Sequence, residues 1–521
     1  MADPLDSLSL QLFECEILMT TANTAPHHPL PNAPEFRQFW GHPAPLWMLF
    51  MAEFWERFAF YGIRWALVLY IVAQFHQGDP SGQAAANFVY GSYLALVYAS
   101  ALIGGYMADR VIGYQHAILL GAVIMASGLF MIAYPDPEVF KFGLATIIVG
   151  NGFFKPNISS LVGKLYAEND SRRDIGFTIF YMGINTGGFI APLFTGLLAE
   201  KVFGSSQMPA YKAVFMAGGC GMLMCLLWFA LGRRQLKGIG APIVTEGQGK
   251  RLAAVLGGAL LIIPATYGLL TCSATTIQWL LGAMFVALSV ALLIEGLRIG
   301  TVARDRVIAM LTIFGFNVIF FMFFEQAGSS FTFLASEIVD RNLGGFVFPT
   351  GWFQSVNSLV IVLMAPLVAA LWIFLAKRQR EATVPQKFAC GLLGNATAFG
   401  LLMYALSFLV DEQQKIPFWT LIAVYALQSI GELCLSPIGL SMVTKLAPSR
   451  LVGLGMGGWF LSTGIGNNLS GIFAGYVSGD KGMSIASAFH GYSFGFYSLL
   501  GASLLLFALA PFIQKWMHGV K

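Results

Sequence analysis

Seven ionisable side chains lie inside otherwise apolar stretches: Glu53, Glu56, Arg57, Arg64, Lys155, Glu325 and Glu432. A charge at the centre of a bilayer costs at least about 2.5–3.5 kcal/mol, so such groups must face one another or a wet cavity. Their spacing is ordered. Glu53, Glu56 and Arg57 are related by i, i+3 and i+4 and share one helix face, and Tyr61 and Arg64 continue the same stripe. Four acids nearly balance three bases on only four segments. That pattern suits a polar cavity with a proton or ion relay. Metal chemistry is not indicated: the seven histidines form no HExxH pattern and the six cysteines form no CxxC. The cysteines read as buried small hydrophobes. Neither metal ligands nor a nucleophile beside a base falls within the spans, so an enzyme is not expected.

The segments that carry these charges must cross a membrane. Of 521 residues, 57% are hydrophobic and 11% charged, and the mean hydropathy is +0.70. A soluble chain has roughly twice that share of charge. The composition excludes a disordered chain and argues against a soluble enzyme. A net charge of +4 without a basic run does not indicate nucleic acid. About 20 apolar residues cross a bilayer. The fourteen expected spans are 46–75, 86–108, 114–134, 139–166, 175–199, 210–232, 251–271, 277–297, 306–335, 350–376, 388–409, 417–445, 453–478 and 490–514. An all-α integral membrane protein follows. Residues 1–36 contain no Lys or Arg, hence no signal-peptide n-region, and 1–43 reads as an extension outside the bilayer.

Lys and Arg set the orientation. With the N-terminus in the cytoplasm, twenty-one of the thirty fall on the cytoplasmic side, six on the opposite side and three within spans. Both ends are therefore expected in the cytoplasm. The halves also echo each other. Phe54-Trp55-Glu56-Arg57-Phe58 in the first span resembles Phe323-Phe324-Glu325-Gln326-Ala327 in the ninth. Gly150-Asn151 with Pro156 and Ser160 resembles Gly431-Glu432 with Pro437 and Ser441. The expected organisation is an N-terminal six-helix bundle (44–232), a linker with an inserted helix pair (233–300) and a C-terminal six-helix bundle (301–521). Two related halves around a midplane site are the logic of a secondary transporter.

The loop Gly104-Gly105-Tyr106-Met107-Ala108-Asp109-Arg110-Val111-Ile112-Gly113 resembles the loop motif of the major facilitator superfamily. Glu53-x-x-Glu56-Arg57-Phe58-x-Phe60-Tyr61-Gly62 is similar to the ExxERFxYYG signature of the proton-coupled oligopeptide transporters, the POT/PTR family. Further matches follow in order: Lys155-Pro156-Asn157, Phe180-Tyr181-x-x-Ile184-Asn185, Glu325-Gln326-x-Gly328-Ser329, Trp352-Phe353-Gln354-Ser355-x-Asn357, Glu432-Leu433-x-x-Ser436-Pro437 and Trp459-Phe460-Leu461-Ser462. Phe60 departs from the usual tyrosine. The second span lacks the histidine that animal relatives use, so coupling must fall to carboxylates. The inserted helix pair resembles the prokaryotic members.

The resemblance implies a proton-coupled symporter of di- and tripeptides in a bacterial inner membrane, driven by the proton gradient without a cofactor and functional as a monomer. The same fold also moves nitrate or peptide-like drugs. The complete ExxER triad and Glu432, which suits an amine, favour peptides. The ammonium and carboxylate of a dipeptide lie about 5–7 Å apart. Arg64 and Lys155 are expected to take the carboxylate and Glu432 the ammonium. Asn185 and Asn357 would read the peptide bond, with Tyr61, Tyr98, Trp459 and Ser462 completing the site. Glu53, Glu56, Arg57 and Glu325 are the proton-coupling candidates, Glu325 pairing with Arg64 when ionised. Asp109 and Arg110 are expected to latch helices at the cytoplasmic face.

Overall fold

The structure is a computed structural model that describes residues 36–167, 170, 172–242 and 247–520. Most of the expected extension 1–43, with its apolar stretch Ser7–Met19, lies outside the described residues. A small hairpin opens the described chain, β1 (Gln38–Phe39) paired with β2 (His42–Pro43). Helices follow at every expected span. They are α1 (Ala44–Phe75), α2 (Gln83–Met107), α3 (Tyr114–Met131), α4 (Pro137–Lys164), α5 (Arg172–Leu197), α6 (Tyr211–Gly232), α7 (Gln248–Thr271) and α8 (Ala274–Ile299). Then come α9 (Thr301–Phe324), α10 (Ser330–Glu337), α11 (Trp352–Lys377), α12 (Val384–Phe408), α13 (Phe418–Leu433), α14 (Ser436–Leu446), α15 (Val452–Ser478) and α16 (Ile485–Trp516). A second short hairpin, β3 (Asn342–Leu343) with β4 (Phe346–Val347), precedes α11.

Among the described residues, eleven helical spans are long and apolar enough to cross a membrane. Three of the fourteen expected spans fall outside that set: α4, which is more polar, α13 with α14, where α13 is apolar but only 16 residues long, and α15, which is again more polar. They carry Asn151 and Lys155, Gln428 and Glu432, and Asn467 and Asn468, respectively. Two expected spans are not continuous. The ninth breaks at Glu325–Gly328, a 3₁₀ turn, before resuming as α10. The twelfth breaks after Leu433. There Pro437, near the start of α14, has no N–H to give the preceding turn.

Packing divides the described chain into two compact units. The N-terminal unit is 36–66 with Leu96–Ser273, and the C-terminal unit is Leu67–Ala95 with 274–520. In the N-terminal unit α3 packs along α4, with α6 and α7 against them. The crossing of α2 over α4 needs glycine. A Cβ on Gly104 would meet the Gly152 carbonyl oxygen at 1.9 Å, and one on Gly152 would meet that of Ser100 at 2.6 Å. Of the two expected inserted helices, α7 packs in this unit and α8 in the other.

In the C-terminal unit α15 packs against α8 and α9, and α12 against α13 and α16. The first turns of α2 join it through a buried polar seam. Gln83 accepts from the Met483 N–H at 2.8 Å and donates to Glu337. Asn87 donates to Ser478 Oγ at 2.9 Å, and Ser92 to Asn468 Oδ1 at 3.2 Å. The cysteines follow their reading in part: Cys225 and Cys434 are buried, but Cys220 on α6 and Cys272, just past the end of α7, are exposed.

Gly152→Val should cost about 1–3 kcal/mol by overpacking the α2–α4 crossing. The expected result is a lower thermal midpoint in detergent, with a smaller drop for the control Gly258→Val, whose Cβ would meet nothing within 4 Å.

Candidate functional site

The first polar stripe forms a closed charge cluster in the N-terminal unit. Glu53, Glu56 and Arg57 are all at most 3% exposed. Arg57 Nη2 donates to Glu56 Oε1 at 2.7 Å and its Nε donates to Glu56 Oε2. The same Nε lies 3.2 Å from Glu53 Oε1. Spacing singles out the Glu53–Arg57 pair, one helical turn apart. The bidentate partner is instead the adjacent Glu56, because the guanidinium fork turns back along its own helix to match a carboxylate edge on. Asn151 Nδ2 adds a hydrogen bond to Glu56 Oε1 at 3.2 Å and ties α4 to the cluster. Glu53 Oε2 is buried without a hydrogen-bond partner. Phe60, the departure from the family signature, lies under the Arg57 guanidinium at 5.1 Å and substitutes a π face for a hydroxyl.

The two cations expected to meet a carboxylate sit on aromatic platforms in the same unit. Arg64 is 6.0 Å from the Tyr61 ring centroid, and Lys155 Nζ is 5.0 Å from that of Tyr98. Lys155 and Asn151 are one turn apart on α4, so this helix serves both the acidic cluster and the cation pair. All four side chains are half-buried. Asn185 is buried, and its side-chain amide donates to its own helix, at Tyr181 O, 3.1 Å away.

The C-terminal unit holds a second polar group. Asn357 on α11 donates to Glu432 Oε2 at 3.2 Å and to Ser429 Oγ at 2.9 Å. Ser429 and Glu432 occupy the last turn of α13, directly before the break in that span. Glu325 is buried and begins the other break, where Ser329 leaves helical geometry at φ −128°, ψ −103°. Side chains satisfy the carbonyls released there. Ala327 O accepts from Gln354 Nε2 and Thr332 Oγ1, both at 2.9 Å, and from Tyr425 Oη at 3.3 Å. A broken helix inside a membrane is stable only when its freed backbone groups find such partners.

Two expected site residues lie in the packed interior of the C-terminal unit. Trp459 packs between Phe314 and Phe388, over Gly439, where a Cβ would come within 2.0 Å of the indole. Ser462 donates to Trp459 O and accepts from Asn317 at 2.9 Å. At the opposite end of α2, Asp109 accepts from the Tyr114 hydroxyl, linking α2 to α3, and the Arg110 guanidinium is 5.9 Å from the Tyr106 ring. Asn151, Ser429 and Gln354 were not expected as site residues. The signal for Asn151 was its i, i+4 relation to Lys155. Gln354 stands in the Trp352–Asn357 motif without an assigned role, and Ser429 carries no such signal.

These are the features of a multi-pass helical membrane transporter with buried charge. A family model described as the POT family matches residues 115–487. A peptide transporter of Yersinia enterocolitica, YePEPT, is 35% identical over 522 residues, covering 94% of this chain and 98% of that one. Dipeptide and tripeptide permease A of Serratia proteamaculans is 34% identical over 475 residues, covering 90% of each. A crystal structure of the peptide transporter POT in complex with sulfate superposes with a TM-score of 0.80 at 31% identity, covering 94% of this chain and 98% of that one. The chain belongs to the POT family, with the major facilitator fold.

Arg57→Leu should lower stability by about 3–5 kcal/mol, because it leaves two buried carboxylates without their shared partner. A thermal midpoint within error of the parent would overturn the assignment of Arg57 as the counter-ion of both.

Proposed function

We propose that the protein is a proton-coupled importer of di- and tripeptides working by alternating access. The observation that carries this reading is the separation of charge by unit. The N-terminal unit presents Arg64 and Lys155 on aromatic rings, suited to a carboxylate. The C-terminal unit presents Glu432, hydrogen-bonded by Asn357 and so oriented, suited to an ammonium. A peptide carries one group of each kind, a carboxylate for the first set and an ammonium for the second. Asn185 and Asn357 offer an amide's donor and acceptor to a peptide bond. The names of the two relatives above point to the same substrate class. Tyr61 and Tyr98 in the N-terminal unit, and Trp459 with Ser462 in the C-terminal unit, complete the peptide site.

Proton coupling resides in Glu53, Glu56 and Arg57, and in Glu325. Protonation of Glu325 removes a buried negative charge at the break in the ninth span. The buried Glu53 oxygen without a hydrogen-bond partner is a place where a proton is accepted without disturbing another contact. Asp109 and Arg110 act as a cytoplasmic latch. The protein works as a monomer in the bacterial inner membrane with both termini in the cytoplasm, and the proton gradient replaces any cofactor.

Uptake of a labelled dipeptide into proteoliposomes tests the reading, with a proton gradient in either direction and with tripeptides, amino acids and nitrate as competitors. Accumulation should require the inward gradient, and tripeptides should compete where nitrate does not. Indifference to the gradient would sink the coupling. Glu325→Gln should lose gradient-driven accumulation yet keep peptide exchange. Arg64→Ala should raise the half-saturating dipeptide concentration about tenfold or more, the worth of one hydrogen bond to a charged group. An unchanged value would remove Arg64 from the site.

A further inference from the structure

The chain enters its first membrane helix through a feature that the transport reading does not use. The loop of the β1–β2 hairpin has only two residues, Trp40 and Gly41, because Phe39 pairs with His42. Both have left-handed backbones, Trp40 at φ 49° and Gly41 at φ 77°. This is the turn that right-twisted hairpins favour, and Asn or Gly normally supplies its first position. A tryptophan there is disfavoured by its Cβ. Its side chain is also 76% exposed, with Phe39 beside it at 49%.

The hairpin is held rigidly despite that exposure. Phe39 and Trp40 stack at 4.9 Å, and Trp47 packs edge-on to Trp40 at 5.1 Å. Trp47 Nε1 donates to Phe39 O at 3.1 Å. His42 is buried, 2.9 Å from the Tyr166 hydroxyl. Arg172 donates to Gln38 Oε1 at 3.2 Å and to Gly41 O at 3.1 Å, while Asp170 balances its charge. Two further exposed cations belong to the patch. Arg37 closes the base of the hairpin, where its carbonyl accepts from Ala44 N, and Lys237 Nζ is 5.8 Å from the Phe36 ring. Backbone strain that holds an exposed aromatic in place marks a functional position.

We propose that this hairpin is a binding site for the headgroup of an anionic phospholipid. Trp40, Phe39 and Trp47 sit at the depth where α1 begins, at the boundary that indole rings favour. Arg37 and Lys237, both exposed beside the hairpin, supply charge that answers a phosphodiester. The leaflet is the cytoplasmic one, an assignment that rests on the Lys and Arg asymmetry. The site is independent of the peptide-transport reading, because none of its residues belongs to the charge clusters of the spans.

Native mass spectrometry of the full chain, released from detergent with equal phosphatidylglycerol and phosphatidylcholine, tests this. Retention should favour phosphatidylglycerol, and inorganic phosphate should not displace it. Arg37→Gln and Lys237→Gln should each weaken the preference roughly fivefold. Trp40→Asn separates the headgroup site from a structural role. Asn fits the left-handed position, so the thermal midpoint should hold or rise while lipid retention falls. Equal retention of the two lipids, displacement by phosphate, or a Trp40→Asn variant that is less stable with retention unchanged would each overturn the proposal.

Discussion

One guanidinium shared by two carboxylates within a single turn of a membrane helix sets the terms for the helices around it. Arg57, Glu53 and Glu56 are each tolerable in the interior only because the others are there. The arrangement reaches outward from α1. Asn151 must be on the facing surface of α4 to complete the coordination of Glu56. Gly187 must be on α5, because a Cβ there would meet Phe54 O at 2.6 Å and Arg57 Cβ at 3.0 Å. Three helices are thus brought together by one buried charge group, while the lipid-facing sides need only be apolar.

The second constraint is that no backbone group can be left unpaired in hydrocarbon. The C-terminal unit breaks two of its membrane helices and meets that constraint differently at each. At Glu325–Ser329 it recruits Gln354, Thr332 and Tyr425 to one carbonyl, that of Ala327. At the end of α13 the polar groups are Ser429 and Glu432, drawn together by Asn357. The breaks and the acids coincide, since Glu325 opens one and Glu432 precedes the other. A helix end leaves polar backbone near a charge that needs it.

Much of this was legible in the residues themselves. The spans were readable because lipid imposes a simple rule on composition, and helices stand at all fourteen expected positions. The Glu53–Arg57 pairing was readable from helical spacing. Other features were not. Glu56 pairs with the residue next to it, which no periodicity indicates. The break at Glu325 contains no proline and depends on α11 and α13, distant in sequence. Trp459 and Ser462 stand in a motif, but the motif does not indicate their packing partners Phe314, Phe388 and Asn317. Motif order reports kinship. Which side of a helix meets a neighbour is decided by packing that one helix does not contain.

The polar seam on the first turns of α2 has a mechanical meaning. Gln83, Asn87 and Ser92 bury amides and a hydroxyl against Met483, Ser478 and Asn468, where leucines would pack more simply. Each such hydrogen bond contributes only about 0.5–1.5 kcal/mol net, because water offers nearly the same bond. An apolar seam would resist wetting across its whole area. A joint of directional groups instead fixes which residue meets which, where leucines could slide and repack. Its chemistry is that of alignment rather than adhesion.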